Sequence, residues 1–396
     1  MRSTGDYLRQ RVHRPRPTGC TQVEEGRQLW HTGSRAIDPR WPLVPALRQD
    51  ELFSSWLIRC ALCHGCDPLE LAQLLWPDRR IWTRDCDLGI CGLSVATLSK
   101  QSGLREEILR EATLEPVCKL LGHELRRVGI TPWVLTLGGR NTRRAGGLQY
   151  CPICFTGPRP YYKVQWRLAW HTCCSEHGVL LRDRCPHCHA VLAPHRLDYQ
   201  ALDLRRCHQC HGLLSEVDPE HSSAGAEELE LFADSIVRGR SDGFGGLRLS
   251  PEDWFDLMRG LHRLMRALSI HRTGPAREFL EHLDVDIDDL PSVSLGLALE
   301  CLPVPDRVAY LSAVNSVLRA GSARFSEAAD TAHLCHSSCQ AAIGRNLSCL
   351  THLLPKTTPR AHVHGAPDRL SPRSKNSVLR SWLLFQRKAS RAGVIR

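Results

Sequence analysis

The 396-residue sequence lacks the features that mark several large protein classes. It contains no run of about 18 consecutive apolar residues, which excludes a membrane-spanning helix. Its first residues include no apolar segment of the kind that directs secretion, so we expect a protein that is not exported. No Gly-Lys pair and no His-Glu-x-x-His motif occur, which excludes a Walker A loop and the common zinc-protease site. We therefore expect a protein that is not an enzyme.

Cysteine, in contrast, is abundant, because the chain contains 19 cysteines, which is an odd number. Without an export signal, this number argues against a disulfide framework and for a reducing, cytoplasmic compartment. Eight of the 19 cysteines fall between residues 151 and 210. This clustering makes metal binding the first hypothesis for the segment.

Four pairs with the spacing Cys-x-x-Cys or Cys-x-x-His follow one another in this segment. A pair places two ligands on one tight turn, and a second pair completes the tetrahedron that zinc prefers. Because four protein ligands close the coordination sphere, we expect two Zn²⁺ ions that are structural rather than catalytic. The predicted ligands are Cys151, Cys154, Cys174 and His177 in site one, and Cys185, Cys188, Cys207 and Cys210 in site two.

Other ligand assignments remain open. Cys173 could replace Cys174 in site one, although the Cys-x-x-His spacing favours Cys174. A third metal site is conceivable in the sequence CALCHGC, but its first two cysteines, Cys60 and Cys63, are expected on the apolar face of a helix, where cysteine acts as a small hydrophobe. Site two also has nearby histidines that a four-cysteine set does not need, namely His187, His189, His208 and His211.

Apolar spacing of three and four residues predicts helices on both sides of the cysteine-rich segment. The first covers residues 50–63 with Asp50 as its cap, and the second follows Asp67 and stops before Pro77. Residues 93–114 predict two helices broken at a Ser-Gly pair, which is the outline of either a helix-turn-helix or a simple packing pair. Further helices are predicted within 225–270, at 292–320 and at 325–354.

The expected fold class is mainly α, with helix-turn-helix-type helical domains flanking a tandem zinc-finger module. The expected organisation is a flexible basic arm at 1–40, an N-terminal helical domain at 41–147, the zinc-finger module at 148–214, a C-terminal helical domain at 225–355 and a basic tail at 356–396.

Positive charge is concentrated at the C-terminus. Residues 356–396 contain 10 Lys and Arg and one acidic residue, whereas residues 215–300 contain 8 Lys and Arg and 18 Asp and Glu. Such a tail is typical of an arm that binds phosphates, with a solvated tail as an equal alternative. The arginines beside site two either neutralise its thiolates or contact phosphate. The predicted nucleic-acid-binding residues are Arg205, Arg206, Arg373, Lys375, Arg380, Arg387, Lys388 and Arg391.

The run LQYCPICFTGPRPYYKVQWRLAWHTCCSEHGVLLRDRCPHC resembles the zinc-binding segment of the TniQ family. The shared pattern is CPxC, an aromatic P-Y-Y stretch, W-R-L, C-x-x-H-G, L-L and CPxC. The run DELFSSWLIRCALCHGCDP resembles the first helix of the family, and LSKQSGLREEILREATL resembles its next helical element. The resemblance covers about residues 42–212.

The resemblance implies a mostly helical accessory protein of bacterial transposons that takes part in choosing the target. Such proteins work with a DDE-type transposase and an AAA+ ATPase, and none is known as the catalytic subunit. Some bind target DNA, and others dock on a CRISPR RNA-guided complex or act at a resolvase-bound site. We therefore expect these partners and a cytoplasmic, nucleoid-associated location away from membranes, while the choice between a monomer and a homodimer stays open.

Two other functions remain as alternatives. The helix pairs and the basic tail also fit a stand-alone, zinc-dependent transcriptional regulator. A metal-dependent nuclease is the weakest reading, because no group of acidic residues stands out.

Overall fold

The computed structural model describes residues 40–83, 85–89, 95–123, 129–137, 147–244, 246–270, 272–292 and 297–334, with a few separate positions beyond them. These segments contain nine α-helices, several short 3-10 turns and one two-stranded hairpin, which confirms the predicted mainly α class. Within them, no helix is both long and apolar enough to cross a membrane. The predicted arm and most of the basic tail lie outside the described residues.

Among the described residues, five helices precede the cysteine-rich segment. Two of the predicted boundaries are confirmed here, since Pro68 opens the second helix and Gly103, at a φ of 74°, follows the third. The packing that would make the third and fourth helices a DNA-reading helix-turn-helix stays a prediction. The five helices are α1 (Phe53–Cys63), α2 (Pro68–Leu75), α3 (Val95–Ser102), α4 (Glu106–Glu111) and α5 (Glu115–Leu120).

The expected cap of α1 was wrong, because the helix begins at Phe53 and its cap position is occupied by Leu52, two residues after Asp50. The free N–H groups of its first turn find distant acceptors instead. Ser54 donates its N–H to Asp87 Oδ1 and its hydroxyl to Asp87 Oδ2, each at a distance of 2.8 Å. The N–H of Phe53 bonds the carbonyl of Ala112 at 2.8 Å. Caps supplied by tertiary contact leave no local sequence signature.

The C-terminal half is helical around one small hairpin, in which Asp242 pairs with Leu249. Its elements are α6 (Ala224–Val237), β1 (Asp242–Phe244), β2 (Leu247–Leu249), α7 (Pro251–Leu268), α8 (Pro275–Glu281) and α9 (Val304–Thr331). The apolar stripe predicted for α7 is confirmed as core, and its buried members are Trp254, Leu257, Met258, Leu261, Leu264, Met265 and Leu268.

The helices expected at 292–320 and 325–354 are confirmed in part, because α9 consists of two helical segments that meet at Gly321, inside the expected gap. The first segment starts later than expected, at Val304 after Pro303 and a 3-10 turn over residues 299–301. The second segment ends at Thr331, and the φ of 78° at Gly321 lies in the left-handed region that glycine adopts readily. Most of the sequence after residue 334 lies outside the described residues.

The cysteine-rich segment packs against both helical parts. Trp170 belongs to this segment, and its ring centroid lies 4.7 Å from that of Phe255 on α7. Trp133 completes the group at 5.4 Å from Phe255. On the other side, Ile58 and Leu62 of α1 join the buried cluster that contains the site-one cysteines. The candidate metal sites are therefore held between helices rather than at a free end of the described fold.

Candidate metal centres

Site one brings its four predicted residues together. His177 Nδ1 lies 3.3 Å from Cys154 Sγ, 3.4 Å from Cys174 Sγ and 3.6 Å from Cys151 Sγ. The Sγ atoms of Cys154 and Cys174 are 3.7 Å apart. Tetrahedral ligand atoms around zinc, with bonds of 2.0–2.3 Å, are separated by about 3.5–3.8 Å. The donor atoms thus have the spacing and chemistry that fit a zinc ion.

Site two has the same spacing with four sulfur atoms. Cys185 Sγ lies 3.6 Å from Cys210 Sγ, and Cys188 Sγ lies 3.7 Å from Cys207 Sγ. All four sulfurs are within 4.8 Å of one another. A disulfide requires about 2.05 Å between sulfur atoms, so these cysteines are free thiols placed around a common centre. This set also fits a zinc ion.

Three of the four ligand pairs lie on turns of one shape. The residue after each pair, namely Gly178, His189 or His211, has a φ of 62°, 56° or 59°. Each of these three residues donates its N–H to the carbonyl of the first cysteine of its turn, at a distance of 2.8–3.0 Å. The closed turn aims other N–H groups at sulfur, as where Gln209 N–H bonds Cys207 Sγ at 3.4 Å. Such bonds favour thiolates, which are the form that binds metal.

The alternative ligands are placed elsewhere. Cys173 Sγ contacts Glu230 Oε2 at 3.4 Å, so the structure brings Cys174 and not Cys173 into site one. His187 Nε2 lies 3.0 Å from the carbonyl of Leu213, outside site two. Among the described residues, only the two predicted sets form a group with metal-ligand spacing, and neither the other histidines near site two nor the cysteines of CALCHGC join one.

The expectation for the first two cysteines of CALCHGC is half correct. Cys60 is fully buried in α1 and packs as core, as predicted. Cys63 is exposed, which is a correction, because it is the last residue of α1 and lies beyond the part of the helix that the core covers.

The predicted nucleic-acid-binding residues are only partly described. Arg205 bonds Asp203, with Nε and Oδ2 2.8 Å apart, and Arg206 donates to the carbonyl of His211 at 2.9 Å. Arg184 makes the equivalent bond to the carbonyl of His189 at 3.2 Å. The guanidinium groups of Arg184 and Arg206 therefore brace the turns of site two, whereas that of Arg205 pairs with Asp203 just before the second turn. The other six predicted residues, Arg373, Lys375, Arg380, Arg387, Lys388 and Arg391, lie outside the described residues.

Buried charged residues of the cysteine-rich segment were missed by the sequence analysis. Arg167, in the W-R-L motif, is fully buried and pairs with Asp85 at 2.5 Å and with Asp87 at 3.1 Å. Burial and the neighbouring Asp85 raise the pKa of Asp87 to about 6, although Arg167 opposes the shift. Since Asp87 also caps α1, this network links the cysteine-rich segment to that helix. An arginine inside an apolar motif is the one signal that pointed to it.

A second buried network joins the segment to α6. His171 Nδ1 lies 2.7 Å from Glu230 Oε1, and its Nε2 lies 2.9 Å from Asp234 Oδ1. Burial alone would lower the pKa of His171, but the two carboxylates raise it to about 10. Arg307 of α9 donates to the carbonyls of Ala169, at 2.8 Å, and of His171, at 3.0 Å. The segment is thus held by ion pairs to α6 and by hydrogen bonds from Arg307 of α9.

Comparison with known proteins shows that part of this chain is similar to a known family. Residues 42–181 match the TniQ family model, which confirms the resemblance predicted from the sequence and implies a transposition-associated protein. The match includes α1 to α5 and site one, and it ends before the first cysteine of site two. No curated protein is similar enough to match the chain.

Proposed function

We propose that this TniQ-family chain is a non-catalytic, zinc-stabilised accessory protein of DNA transposition that selects the target site and recruits the transposon ATPase and transposase. The TniQ match over residues 42–181 carries the proposal. The two closed groups of four ligands support a structural role for the metal, because such groups leave no position open for a reacting molecule. In this proposal, site one and site two each hold one Zn²⁺ ion.

The proposed mechanism is bridging. One face of the protein engages target DNA or a complex that marks the target, and another face recruits the AAA+ ATPase, which brings the DDE-type transposase. Exposed cations on the helical part, such as Lys100 and Arg105, and the basic tail would supply phosphate contacts. The buried networks at Arg167 and His171 would keep the two faces at a fixed distance.

A transposition assay tests the function. Cells that carry the transposase and ATPase genes but lack this gene are expected to lose targeted insertion, and the wild-type gene is expected to restore it. The Cys151→Ser variant is expected to fail to restore it, whereas Cys63→Ser, an exposed cysteine outside both sites, serves as the matched control. Insertion frequency and target choice that do not change on deletion would refute the proposal.

A pull-down of the tagged protein from cells with its neighbouring genes, with nuclease treatment, identifies the targeting route. Recovery of an AAA+ ATPase supports the adaptor role, and CRISPR subunits or a resolvase in the same sample would name the marker. Loss of every partner after DNA digestion would instead favour direct DNA binding. A footprint on its own promoter, without any effect on transposition, would favour a transcriptional regulator.

A further inference from the structure

Lys163 occupies an unusual position between site one and the start of α1. Its side chain is only 5% exposed, and its Nζ contacts two carboxylates. One is Asp50, with Oδ2 at 3.2 Å, and the other is Glu176, through Oε1. A buried ammonium group depends on such partners, because losing one leaves an uncompensated charge in the interior. We call the three residues the Lys163 bridge.

One end of the bridge belongs to site one. Glu176 lies in the turn between the ligands Cys174 and His177, so its position follows that of the turn. Its second oxygen, Oε2, is 3.8 Å from Cys154 Sγ, a ligand from the other pair. Glu176 therefore touches both halves of the ligand set, and closure of the site around a metal fixes the carboxylate that Lys163 needs.

The other end belongs to the start of α1. Asp50 accepts a hydrogen bond from the Tyr161 hydroxyl at 2.9 Å, and its carbonyl accepts the N–H of Val164 at 2.8 Å. The N–H of Leu52, the residue directly before α1, bonds the carbonyl of Tyr162 at 2.9 Å. The chain that leads into α1 thus lies on the same short stretch that carries Lys163.

We infer that Lys163 is a positioning residue that couples metal occupancy of site one to the start of α1. The inference rests on the metal proposed for site one. With metal bound, the closed ligand set fixes the carboxylate of Glu176. The carboxylates of Glu176 and Asp50 together hold the Lys163 ammonium group. Asp50, which lies just before α1, therefore stays against residues 161–164. The coupling is reciprocal: if the bound metal stabilises the contacts of Asp50, then those contacts stabilise the bound metal by the same free energy. A change at Asp50 must therefore weaken metal retention in site one.

The test is the rate of metal release in an Asp50→Asn variant of the full chain loaded with Co²⁺. Cys₃His and Cys₄ sets give different visible Co²⁺ bands, so release to a chelator can be followed at each site separately. Asp50 touches no ligand, yet we expect release from site one to accelerate about tenfold, the effect of an outer-shell partner. Release from site two should not change, and Asp78→Asn, an exposed acid after α2, is the control.

Variants at Lys163 sharpen the result. Lys163→Met removes both ion pairs and is expected to release site-one Co²⁺ faster than Asp50→Asn, whereas Lys163→Arg keeps a cation and should restore most of the retention. Release from site one that is equal in wild type and Asp50→Asn would overturn the coupling while leaving the metal site intact. Absence of the site-one Co²⁺ bands in the wild-type chain would overturn both this inference and the proposed metal.

Discussion

The two candidate metal sites have nearly the same donor geometry and each places two cysteines in one buried cluster, but they differ in the contacts that surround them. Site one lies inside the TniQ match, and its Cys151 is fully buried beside Tyr150 and Phe155, whose rings are 5.0 Å apart. Site two lies outside the match, and its Cys210 is exposed. The tetrahedron is thus set by the ligand turns, whereas its surroundings determine how much of the protein depends on the ion.

Burial of charge shows the same contrast. Around site one, the cations Lys163, Arg167 and His171 are each buried and each paired with two carboxylates. Around site two, Arg205 is partly exposed and pairs with Asp203, and Arg206 is exposed and braces the turn of Cys207 through the carbonyl of His211. We therefore propose that loss of site one disturbs the contacts between helices more than loss of site two does.

Loss of a ligand should give the largest difference between the sites. Cys151→Ser and Cys185→Ser are each expected to lose one zinc ion per chain. Since a structural zinc contributes on the order of 10–16 kcal/mol to folding, Cys151→Ser should unfold the segment that α1 and α7 pack against. Cys185→Ser should lose order mainly over residues 183–214. Metal analysis and near-ultraviolet circular dichroism measure the two effects.

Cys63→Ser provides the control for this pair, because Cys63 is an exposed cysteine outside both sites and its variant should keep both ions. Equal loss of tertiary signal in Cys151→Ser and Cys185→Ser would break the proposed contrast. Retention of full zinc in either variant would refute the ligand set of that site.

The next effect concerns the buried charge of Arg167 in the cysteine-rich segment. Arg167→Met leaves Asp87 buried without its cation, and such losses cost about 3–5 kcal/mol. Arg159→Met, an exposed arginine in the same segment, should change the free energy of unfolding by less than about 0.5 kcal/mol. Urea denaturation measures both. A similar small change in the two variants would show that the network does not support the site-one side.

Much of the candidate sites could be predicted from the sequence, because metal ligands follow a local rule. The spacing of two residues between paired ligands sets the turn, so the pairs of Cys174 and Cys185 are visible without a structure. The helix signals of α2 and α7 are equally local. Asp67 and Pro68 mark a start, and the apolar stripe marks a buried face.

What could not be predicted depends on distant contacts. The cap of α1 comes from Asp87, a residue 33 positions beyond Ser54, so the nearby Asp50 was the wrong candidate. The partners of His171 lie 59 and 63 positions away, on α6. Periodicity and spacing describe neighbours in the chain, and they contain no information about which buried acid meets which buried base.

The pH dependence of stability tests the His171 network. The pKa of the His171 imidazole is raised to about 10 in the folded chain, against 6.5 in an unfolded chain. The stabilisation is therefore complete below pH 6.5 and is lost as the pH rises towards 10, with a slope of up to about 1.4 kcal/mol per pH unit. His171→Gln should remove this part of the slope, whereas His221→Gln, an exposed histidine, should keep it. Identical slopes in wild type and His171→Gln would contradict the assignment.

The smallest expected effect distinguishes the arginines of site two from the basic tail. If Arg205 and Arg206 mainly make their contacts to Asp203 and to the carbonyl of His211, replacing both with alanine removes at most two phosphate contacts. The slope of log K for DNA binding against log salt should then fall by less than about 2. A chain ending at residue 355 loses 10 cations and should show a much flatter salt dependence. If the slope changed more in the double variant than in the truncated chain, the phosphate contacts would lie at site two. If truncation left the slope unchanged, the tail would not contribute to DNA binding.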